Sequence, residues 1–406
     1  SKRRHSIRRT RCMGSVAGIG DAHADADQAI AGRTPAVLAK HGIGVRRGSP
    51  LSRGIGLRPP GSVRAGQRIH RKHAHRPPIM ATGSGQPGIG VGTWAWGNQF
   101  LWGYDPQRDD APLAATFRRC LERGLCFFDT ADSYGTGRLN GRSETLLGRF
   151  AMEASAEQRQ QICIATKLAP FPWRLGRQGY RRAYAASQRR LQGQLKRVQL
   201  HWSTARYAPW QEGPLLDGLA ELVREGAVES LGVSNLGPQR LRQIHSRLQS
   251  QGVTLSSLQV QLSLLAPQPL AAGGVAEVCR ELGIELIAYS PLALGLLGRS
   301  EGESGAAPLT GARRSLFARL QPQLKPLRAL MGEIGQGRPG GLAAVALNWC
   351  RAHGAMPIPG LRSTTQVDAT AAALSWALNS EERNALDQLA TQNGAPRMPA
   401  NPFQSA

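Results

Sequence analysis

Long apolar runs and paired cysteines are both missing from this sequence. No run approaches the roughly 18 apolar residues that a membrane-spanning helix needs, and no secretory signal pattern is visible. The six cysteines contain no Cys-x-x-Cys pair, and most of them lie inside apolar segments. They indicate reduced core thiols in a reducing compartment. We therefore expect a cytoplasmic protein with no metal site, no disulfide framework and no membrane partner.

Acidic and aromatic residues are scarce in the first part of the chain. Residues 1–79 contain 17 Lys and Arg, three Asp and no aromatic residue, so 14 of the 24 net positive charges lie there. Such a segment cannot bury enough apolar surface to offset its chain entropy. We predict a basic, low-complexity and disordered extension over residues 1–79, followed by one domain over residues 80–406.

Three interpretations of this extension compete. The favoured interpretation is that residues 1–79 are an artefact of the choice of start site, because Met80 stands just before the first residues with a strand or helix pattern. The second is an organellar transit peptide, which is typically Arg-rich and acid-poor and would place the protein in the plastid stroma. A nucleic-acid-binding arm is least favoured, because no aromatic residue lies between the charges to stack on bases. We expect no nucleic-acid partner.

Residues 80–406 alternate between short apolar segments and segments of helical periodicity. Eight repeats of this kind predict an α/β fold, a closed parallel (β/α)8 barrel. A long glycine-rich loop follows the seventh strand, and helices end the chain. The predicted strands are 90–96, 125–128, 161–167, 198–201, 228–233, 258–262, 284–289 and 356–360, and the predicted helices are 113–123, 143–150, 180–195, 215–224, 238–248, 275–282, 315–334, 342–352, 365–374 and 380–389.

The most informative stretch lies at the end of the second predicted strand. It reads Asp129-Thr130-Ala131, followed by Tyr134-Gly135. A carboxylate at the carboxyl end of a buried strand costs free energy unless it is paired, and that end of a barrel carries the active site. Taken alone, the two side chains could equally cap a loop and pack in the core.

This stretch resembles the signature of the aldo-keto reductases, and the resemblance extends from about residue 90 to about residue 389. It implies a (β/α)8 barrel that reduces a small aldehyde or ketone with NADPH and has no Rossmann domain. It also implies a catalytic tetrad of Asp129, Tyr134, Lys167 and His201. A binding protein that holds NADPH for redox sensing or regulation, with little turnover, is the alternative on the same scaffold.

The four residues suit carbonyl reduction. Hydride transfer to a carbonyl develops an alkoxide, which needs a proton or a stabilising donor. We expect Tyr134 to be the general acid, Lys167 to lower the pKa of its phenol, and Asp129 to hold Lys167 charged. His201 would donate a hydrogen bond to the substrate oxygen. Taken singly, Lys167 could be a solvated strand-end lysine and His201 a core histidine.

The resemblance also implies the cofactor contacts. A first group would bind the nicotinamide end, with Tyr289 stacking on the ring and exposing one face to the substrate. A second group would take the adenosine 2′-phosphate at a helix start, where a guanidinium favours NADPH over NADH. One departure from the family is Ala369-Thr370, where many members have Glu-Asn against the adenine. The first group is Ser234, Asn235, Gln259, Tyr289, Ser290 and Pro291, and the second is Gly360, Arg362, Ser363 and Gln366.

Several runs resemble one subgroup of this family, the plant plastid and cyanobacterial pyridoxal reductase-like proteins. They include residues 92–99, 101–104, 172–174 and 201–209, and the tail 401–404. This likeness implies reduction of pyridoxal to pyridoxine as a candidate reaction. An aromatic aldehyde would stack on Trp96, Trp102 or Trp202, although these side chains could equally be packing at the barrel rim.

Overall fold

The computed structural model describes residues 86–298 and 311–405. The predicted extension over residues 1–79 lies outside the described residues. So do residues 299–310 of the loop predicted after the seventh strand.

Eight parallel strands form one sheet in which each strand pairs with its successor along the chain. The sheet closes between its first and last strands, where the N–H of Gly90 donates to the carbonyl of Pro357 at 3.0 Å and that of Gly92 to Pro359 at 2.9 Å. The predicted (β/α)8 barrel is therefore confirmed. The strands are β1 (Val91–Gly92), β2 (Phe127–Ala131), β3 (Cys163–Leu168), β4 (Leu195–Leu200), β5 (Ser230–Ser234), β6 (Leu255–Gln261), β7 (Glu285–Tyr289) and β8 (Ala355–Ile358).

Helices connect successive strands and cover the outside of the barrel. Two of them lie between β7 and the helix that precedes β8, and two more follow β8, as predicted. The helices are α1 (Gln99–Trp102), α2 (Pro106–Glu122), α3 (Arg142–Glu153), α4 (Ala156–Gln161), α5 (Gly176–Arg190), α6 (Pro209–Arg224), α7 (Pro238–Gln249), α8 (Val275–Leu282), α9 (Gly311–Leu320), α10 (Lys325–Gly335), α11 (Gly341–Ala352), α12 (Thr364–Ala372) and α13 (Ser380–Thr391).

Glycines allow the barrel to close. A Cβ atom added to Gly92 would lie 2.9 Å from the backbone oxygen of Ile358, and one added to Gly90 would lie 2.6 Å from the ring of Phe127. Neither contact can be relieved without moving the strands, so the first strand has to be glycine-rich for β1 to approach β8.

Two apolar cores hold the fold together. The larger core lies between the sheet and the helices, where Phe117 of α2 stacks on Phe128 of β2 with ring centroids 4.8 Å apart. The smaller core fills the inside of the barrel, so the barrel is a packed core and not a channel. Its buried members are Phe127, Cys163, Ala165, Ile287, Met356 and Ile358.

The largest differences from the predicted elements occur in polar segments. Helix α2 begins at Pro106, seven residues before the predicted start, because Asp105 caps it and its first two turns are not buried in the core. Helix α4 was not predicted. It has no buried residue and is fixed instead by a capping box in which Ser155 and Gln158 bond each other's backbone N–H. An apolar pattern cannot reveal such segments.

The helices of the described residues were compared with the length and apolar character that a membrane-spanning helix needs. None of the helices in residues 86–298 and 311–405 is long and apolar enough to cross a bilayer.

Candidate active site

Asp129 lies at the centre of a hydrogen-bonded cluster inside the barrel, towards the carboxyl ends of the strands. One of its carboxylate oxygens pairs with the ammonium of Lys167, and both side chains are 2 % exposed. The other oxygen accepts from Gln259 at 2.7 Å and from Gln199 at 3.0 Å. A buried carboxylate is tolerated only when it is paired and bonded in this way. Asp129 is therefore fixed by side chains from three other strands, β3, β4 and β6.

Lys167 links this cluster to Tyr134. The ammonium also donates to the carbonyl of Thr130 at 2.9 Å, and its nitrogen lies 4.9 Å from the centroid of the Tyr134 ring. Burial lowers the pKa of Lys167 from its usual value, while the adjacent Asp129 opposes that change. The structure thus brings Asp129, Lys167 and Tyr134 together, as predicted.

The expected effect of Lys167 on Tyr134 is wrong for the protein alone. Burial first, and the negative charge of Asp129 second, raise the pKa of Tyr134 well above its usual value. The physical reason is that the ammonium is already paired with Asp129, so less of its positive charge is available to favour the phenolate. Tyr134 is therefore protonated throughout the neutral range, as a proton donor has to be.

His201 follows β4 directly and faces Tyr134. The centroids of the two rings are 6.1 Å apart in an edge-on arrangement. Burial first, and the charges of Lys167 and Arg174 second, lower the pKa of His201 well below its usual value. The imidazole is therefore neutral near pH 7 and carries a single N–H. It can donate one hydrogen bond without adding a charge to the site.

The residues predicted to bind the nicotinamide end meet beside His201. Asn235 follows β5 with a φ of +60°, a left-handed conformation that asparagine tolerates better than most residues. Its side-chain nitrogen donates to the carbonyl of His201 at 3.0 Å, and its oxygen accepts from the hydroxyl of Tyr289 at 2.9 Å. Burial chiefly raises the pKa of Tyr289 to about 12. Ser290 and Pro291 come directly after β7, and Ser290 also has a positive φ of 51°.

The second predicted group lies around the start of α12. Ser363 caps this helix and accepts from the N–H of Gln366 at 3.3 Å, while the Gln366 side chain accepts from the N–H of Arg362 at 2.7 Å. The guanidinium of Arg362 donates to the carbonyl of Trp102 at 3.1 Å and lies 3.6 Å from a carboxylate oxygen of Asp109. The first N–H groups of a helix have no intrahelical partner, which suits an anion.

Ala369 and Thr370 stand where many members of the aldo-keto reductases have Glu-Asn against the adenine. Both residues lie in α12, and the side chain of Thr370 is buried against the core. Thr370 therefore does not present a polar group at the surface, whereas Ala369 is partly exposed but has no polar atom on its side chain.

The three tryptophans differ in their surroundings. The prediction for Trp96 is wrong, since it is fully buried, contacts Phe150 and donates its indole N–H to the carbonyl of Leu361 at 2.8 Å. Trp102 is partly buried under the guanidinium of Arg313, which lies 3.9 Å from its centroid. The structure therefore places it against α9, while its place in a substrate pocket stays a prediction.

Trp202 belongs to a group of aromatic rings at the barrel mouth. Its ring lies 4.9 Å from that of His201 and stacks on Phe403 at 4.4 Å. Phe171 meets its edge at 6.3 Å and stacks in turn on the exposed Trp173. A flat apolar wall therefore adjoins the tetrad.

Sequence reasoning missed three residues next to this site. Gln199 bonds Asp129, and its position two residues before His201 on β4 could have revealed that it faces inward. Trp94 lies two residues after the end of β1, is 37 % exposed and lies edge-on to Trp102. Asp132 pairs with Arg174, and burial is the main cause that raises its pKa to about 6.

Unpartnered polar atoms test whether these residues fit a nicotinamide cofactor. The hydroxyl of Ser234 and the Nδ1 atom of His201 are buried and have no hydrogen-bond partner among the described residues. Such atoms are costly unless something bonds them, so the predicted nicotinamide pocket has polar capacity for a ligand. No cluster of three His, Cys, Asp or Glu that could hold a metal occurs within residues 86–298 and 311–405.

Comparison with known proteins identifies the family. The sequence model of the aldo/keto reductase family matches residues 88–391, which is most of the chain. The chain belongs to the aldo/keto reductase family. It is therefore an oxidoreductase, as the resemblance predicted.

Two similar proteins illustrate the range of similarity. The chloroplastic pyridoxal reductase of Arabidopsis thaliana is 47 % identical over 309 residues, which cover 75 % of this chain and 83 % of the relative. The crystal structure of an aldo/keto reductase from Klebsiella pneumoniae in complex with NADP and acetate is 25 % identical, with a TM-score of 0.57, and the match covers 79 % of this chain and 96 % of that one.

Proposed function

We propose that this aldo/keto reductase reduces an aldehyde to the alcohol with NADPH, that Tyr134 is the proton donor, and that pyridoxal is the candidate substrate. The observation that carries the proposal is the convergence of four side chains from β2, from β3 and from the loops that follow β2 and β4. Lys167 pairs with Asp129 and lies 4.9 Å from the Tyr134 ring, which lies 6.1 Å from the His201 ring.

NADPH is the cofactor, and it supplies the hydride when bound. Ser234 offers an unpartnered buried hydroxyl for its carboxamide, and Tyr289 is the residue proposed to stack on its ring. Arg362, with the first turn of α12, would bind the 2′-phosphate, because a guanidinium can donate two parallel hydrogen bonds to phosphate oxygens. Gly360 leaves room at this loop, since an added Cβ atom would meet only one backbone oxygen, at 3.8 Å.

The proton comes from Tyr134. Its raised pKa keeps the phenol protonated in the resting site, and an alkoxide is a much stronger base than a phenolate, so the transfer is still downhill. The phenolate that remains lies beside the ammonium of Lys167, which stabilises it. Neutral His201 donates its single N–H to the carbonyl oxygen and orients it for the transfer.

An aromatic aldehyde suits the wall beside the tetrad. Trp202, stacked on Phe403, offers a flat apolar surface 4.9 Å from His201, and Phe171 borders it. Offset stacking on such rings stabilises a planar heterocycle by about 0.5–1.5 kcal/mol beyond area burial. The name of the Arabidopsis relative, a pyridoxal reductase, supports the same substrate, and its chloroplastic location is consistent with the plastid interpretation of residues 1–79.

The test is to follow NADPH absorbance with the full chain and to offer pyridoxal and para-nitrobenzaldehyde separately. Turnover of both is expected, with a higher kcat/KM for pyridoxal, and the product should be pyridoxine by chromatography. Turnover of para-nitrobenzaldehyde alone would retain the reductase and reject pyridoxal. Tight NADPH binding with neither aldehyde consumed would favour the regulatory alternative instead.

A further inference from the structure

The end of the chain lies against the active site. We call residues Met398–Ser405 the tail segment. The N–H of Met398 donates to the carbonyl of Leu265 at 2.8 Å, and that of Ser405 donates to the carbonyl of Asn235 at 3.0 Å. The ring of Phe403 stacks on Trp202 between these two anchors. The tail segment is therefore part of the wall of the site.

Asn401 makes the most specific contacts of the tail segment. Its side-chain nitrogen donates to the Asn235 side-chain oxygen at 3.0 Å and to the Tyr289 hydroxyl at 2.5 Å. Its own oxygen accepts from the N–H of Phe403 at 2.9 Å, which fixes the turn of the tail. Since Tyr289 also donates to Asn235, three side chains close a triangle of hydrogen bonds.

This triangle joins the two residues that the proposed function places against the nicotinamide. Tyr289 would supply the stacking face, and Asn235 stands beside the unpartnered hydroxyl of Ser234. A tyrosine ring turns about its side-chain bonds unless its hydroxyl is held, and a left-handed asparagine is held in place by its side-chain bonds. Asn401 supplies one bond to each of them.

We propose that Asn401 is a positioning residue for the nicotinamide end of the cofactor: it orients the Tyr289 ring and the Asn235 amide before NADPH arrives. The inference rests on the proposed function in so far as that function puts the nicotinamide at these residues. Preorganisation of this kind improves affinity because the free protein has already ordered the groups that bind. The effect of losing the N–H₂ donor of Asn401 should therefore appear in cofactor binding and not in substrate binding.

The test compares Asn401→Asp and Asn401→Ala with the unchanged protein. Aspartate keeps the oxygen that fixes the tail turn and replaces the N–H₂ donor by a second, negatively charged acceptor, whereas alanine removes the oxygen and the donor without adding a charge. The dissociation constant of NADPH for the free enzyme is measured by quenching of tryptophan fluorescence. A rise of roughly tenfold is expected for both variants, the size that one or two lost hydrogen bonds give. The KM for aldehyde should change less than twofold in Asn401→Asp, which keeps the bond to the N–H of Phe403, and should rise in Asn401→Ala, which also releases Phe403 from the aromatic wall.

Gln404→Ala is the matched control. Gln404 lies in the same tail segment, and its amide donates to the backbone of Ser405 at 3.4 Å and not to the nicotinamide residues. It should leave the dissociation constant of NADPH unchanged. In a double variant, Asn401→Asp with Tyr289→Phe, the loss of NADPH affinity should be smaller than the sum of the two single losses, because the bond between Asn401 and Tyr289 is counted in both, while the bond from Asn401 to Asn235 is lost only with Asn401.

Two results would overturn the inference. Unchanged NADPH binding in both Asn401 variants would leave the amide with a structural role only. Tighter NADPH binding in Asn401→Ala would show that the amide competes with the cofactor for Asn235 and Tyr289. Thermal unfolding of the free variants controls for misfolding. Failure of the proposed function is separable, because it would appear as NADPH binding without aldehyde turnover in the unchanged protein.

Discussion

The ammonium of Lys167 lies over the face of the Tyr134 ring, 4.9 Å from its centroid, and it is already paired with Asp129. This relationship decides the state of the proposed acid. The charge of Lys167 is largely balanced before it can act on the phenol, so burial and Asp129 raise the pKa of Tyr134. The site therefore holds a protonated phenol beside an ammonium, and the ammonium stabilises the phenolate once the proton has been transferred.

A pH profile of the hydride-transfer step follows from this arrangement. Because the pKa of Tyr134 is raised above its usual value of about 10, the acid stays protonated as pH rises through the neutral and mildly alkaline range. We expect the single-turnover rate of reduction to show no descending limb between about pH 7 and pH 10. Stopped-flow decay of NADPH with saturating aldehyde measures it. A descending limb centred near pH 8 would mean that Lys167 does lower the pKa of the acid.

Replacing Tyr134 by phenylalanine tests the acid directly. The change removes the hydroxyl and keeps the ring, so the face contact with Lys167 remains. We expect the turnover rate to fall by about 10²–10⁴-fold and NADPH affinity to stay nearly the same, because only the proton donor is lost. Tyr180→Phe is a matched control, since the Tyr180 hydroxyl bonds the carbonyl of Leu168 and belongs to the outer core. Normal turnover in Tyr134→Phe would reassign the acid.

The buried pair of Asp129 and Lys167 should dominate the stability of the site. Lys167→Met leaves a buried carboxylate with only Gln199 and Gln259 as donors. Losing one partner of a buried pair costs about 3–5 kcal/mol, so urea unfolding should show a loss of that order. Asp129→Asn with Lys167→Met removes both charges and should recover at least half of the loss, while activity stays low. Additive losses in the double variant would mean that the two charges are not coupled.

The barrel, and the meeting of Asp129, Lys167 and His201, were predictable from the sequence for a physical reason. Most strands are short, buried and rich in apolar residues, and these three side chains lie at or near strand ends, which parallel strands bring to one rim. Polar elements such as α4 could not be predicted in the same way. Trp96 was misplaced because a single strand-like pattern over residues 90–96 hides the turn at 94–97, which sends Trp94 outward and Trp96 into the core.

Other features depend on contacts between distant parts of the chain. The pKa of Tyr134 depends on burial by the folded chain and on Asp129, which is paired with Lys167, 38 positions away. The triangle of Asn235, Tyr289 and Asn401 joins residues 166 and 112 positions apart. No local pattern carries such information, so only the folded chain reveals it.

Arg362 provides a test of cofactor choice. Arg362→Ala should raise the KM for NADPH about 10-fold or more and leave that for NADH within twofold, because only NADPH carries the 2′-phosphate. Arg108→Ala is the control. It removes an arginine that pairs with the same Asp109 and does not reach Trp102 or the start of α12 in its hydrogen bonds. An equal loss for both cofactors in Arg362→Ala would assign the side chain a structural role through Trp102.

The neutral state of His201 predicts a loss of stability on acidification. Its folded-state pKa lies well below its usual value of about 6.5. Below pH 6.5 the imidazole of His201 therefore binds a proton in the unfolded chain but not in the folded protein. The free energy of unfolding consequently falls as pH falls. His201→Gln removes this proton uptake from the unfolded chain.

The measurement is urea unfolding of both proteins at pH 7 and pH 5.5. The unchanged protein should lose about 1 kcal/mol more than His201→Gln over this interval. Asp132 acts in the opposite direction, because its pKa is raised to about 6 and its folded form takes up a proton in the same range. Asp132 is present in both proteins, so its contribution cancels in the difference. Identical losses in the two proteins would mean that His201 titrates normally in the fold, and that it can enter the reaction as a cation.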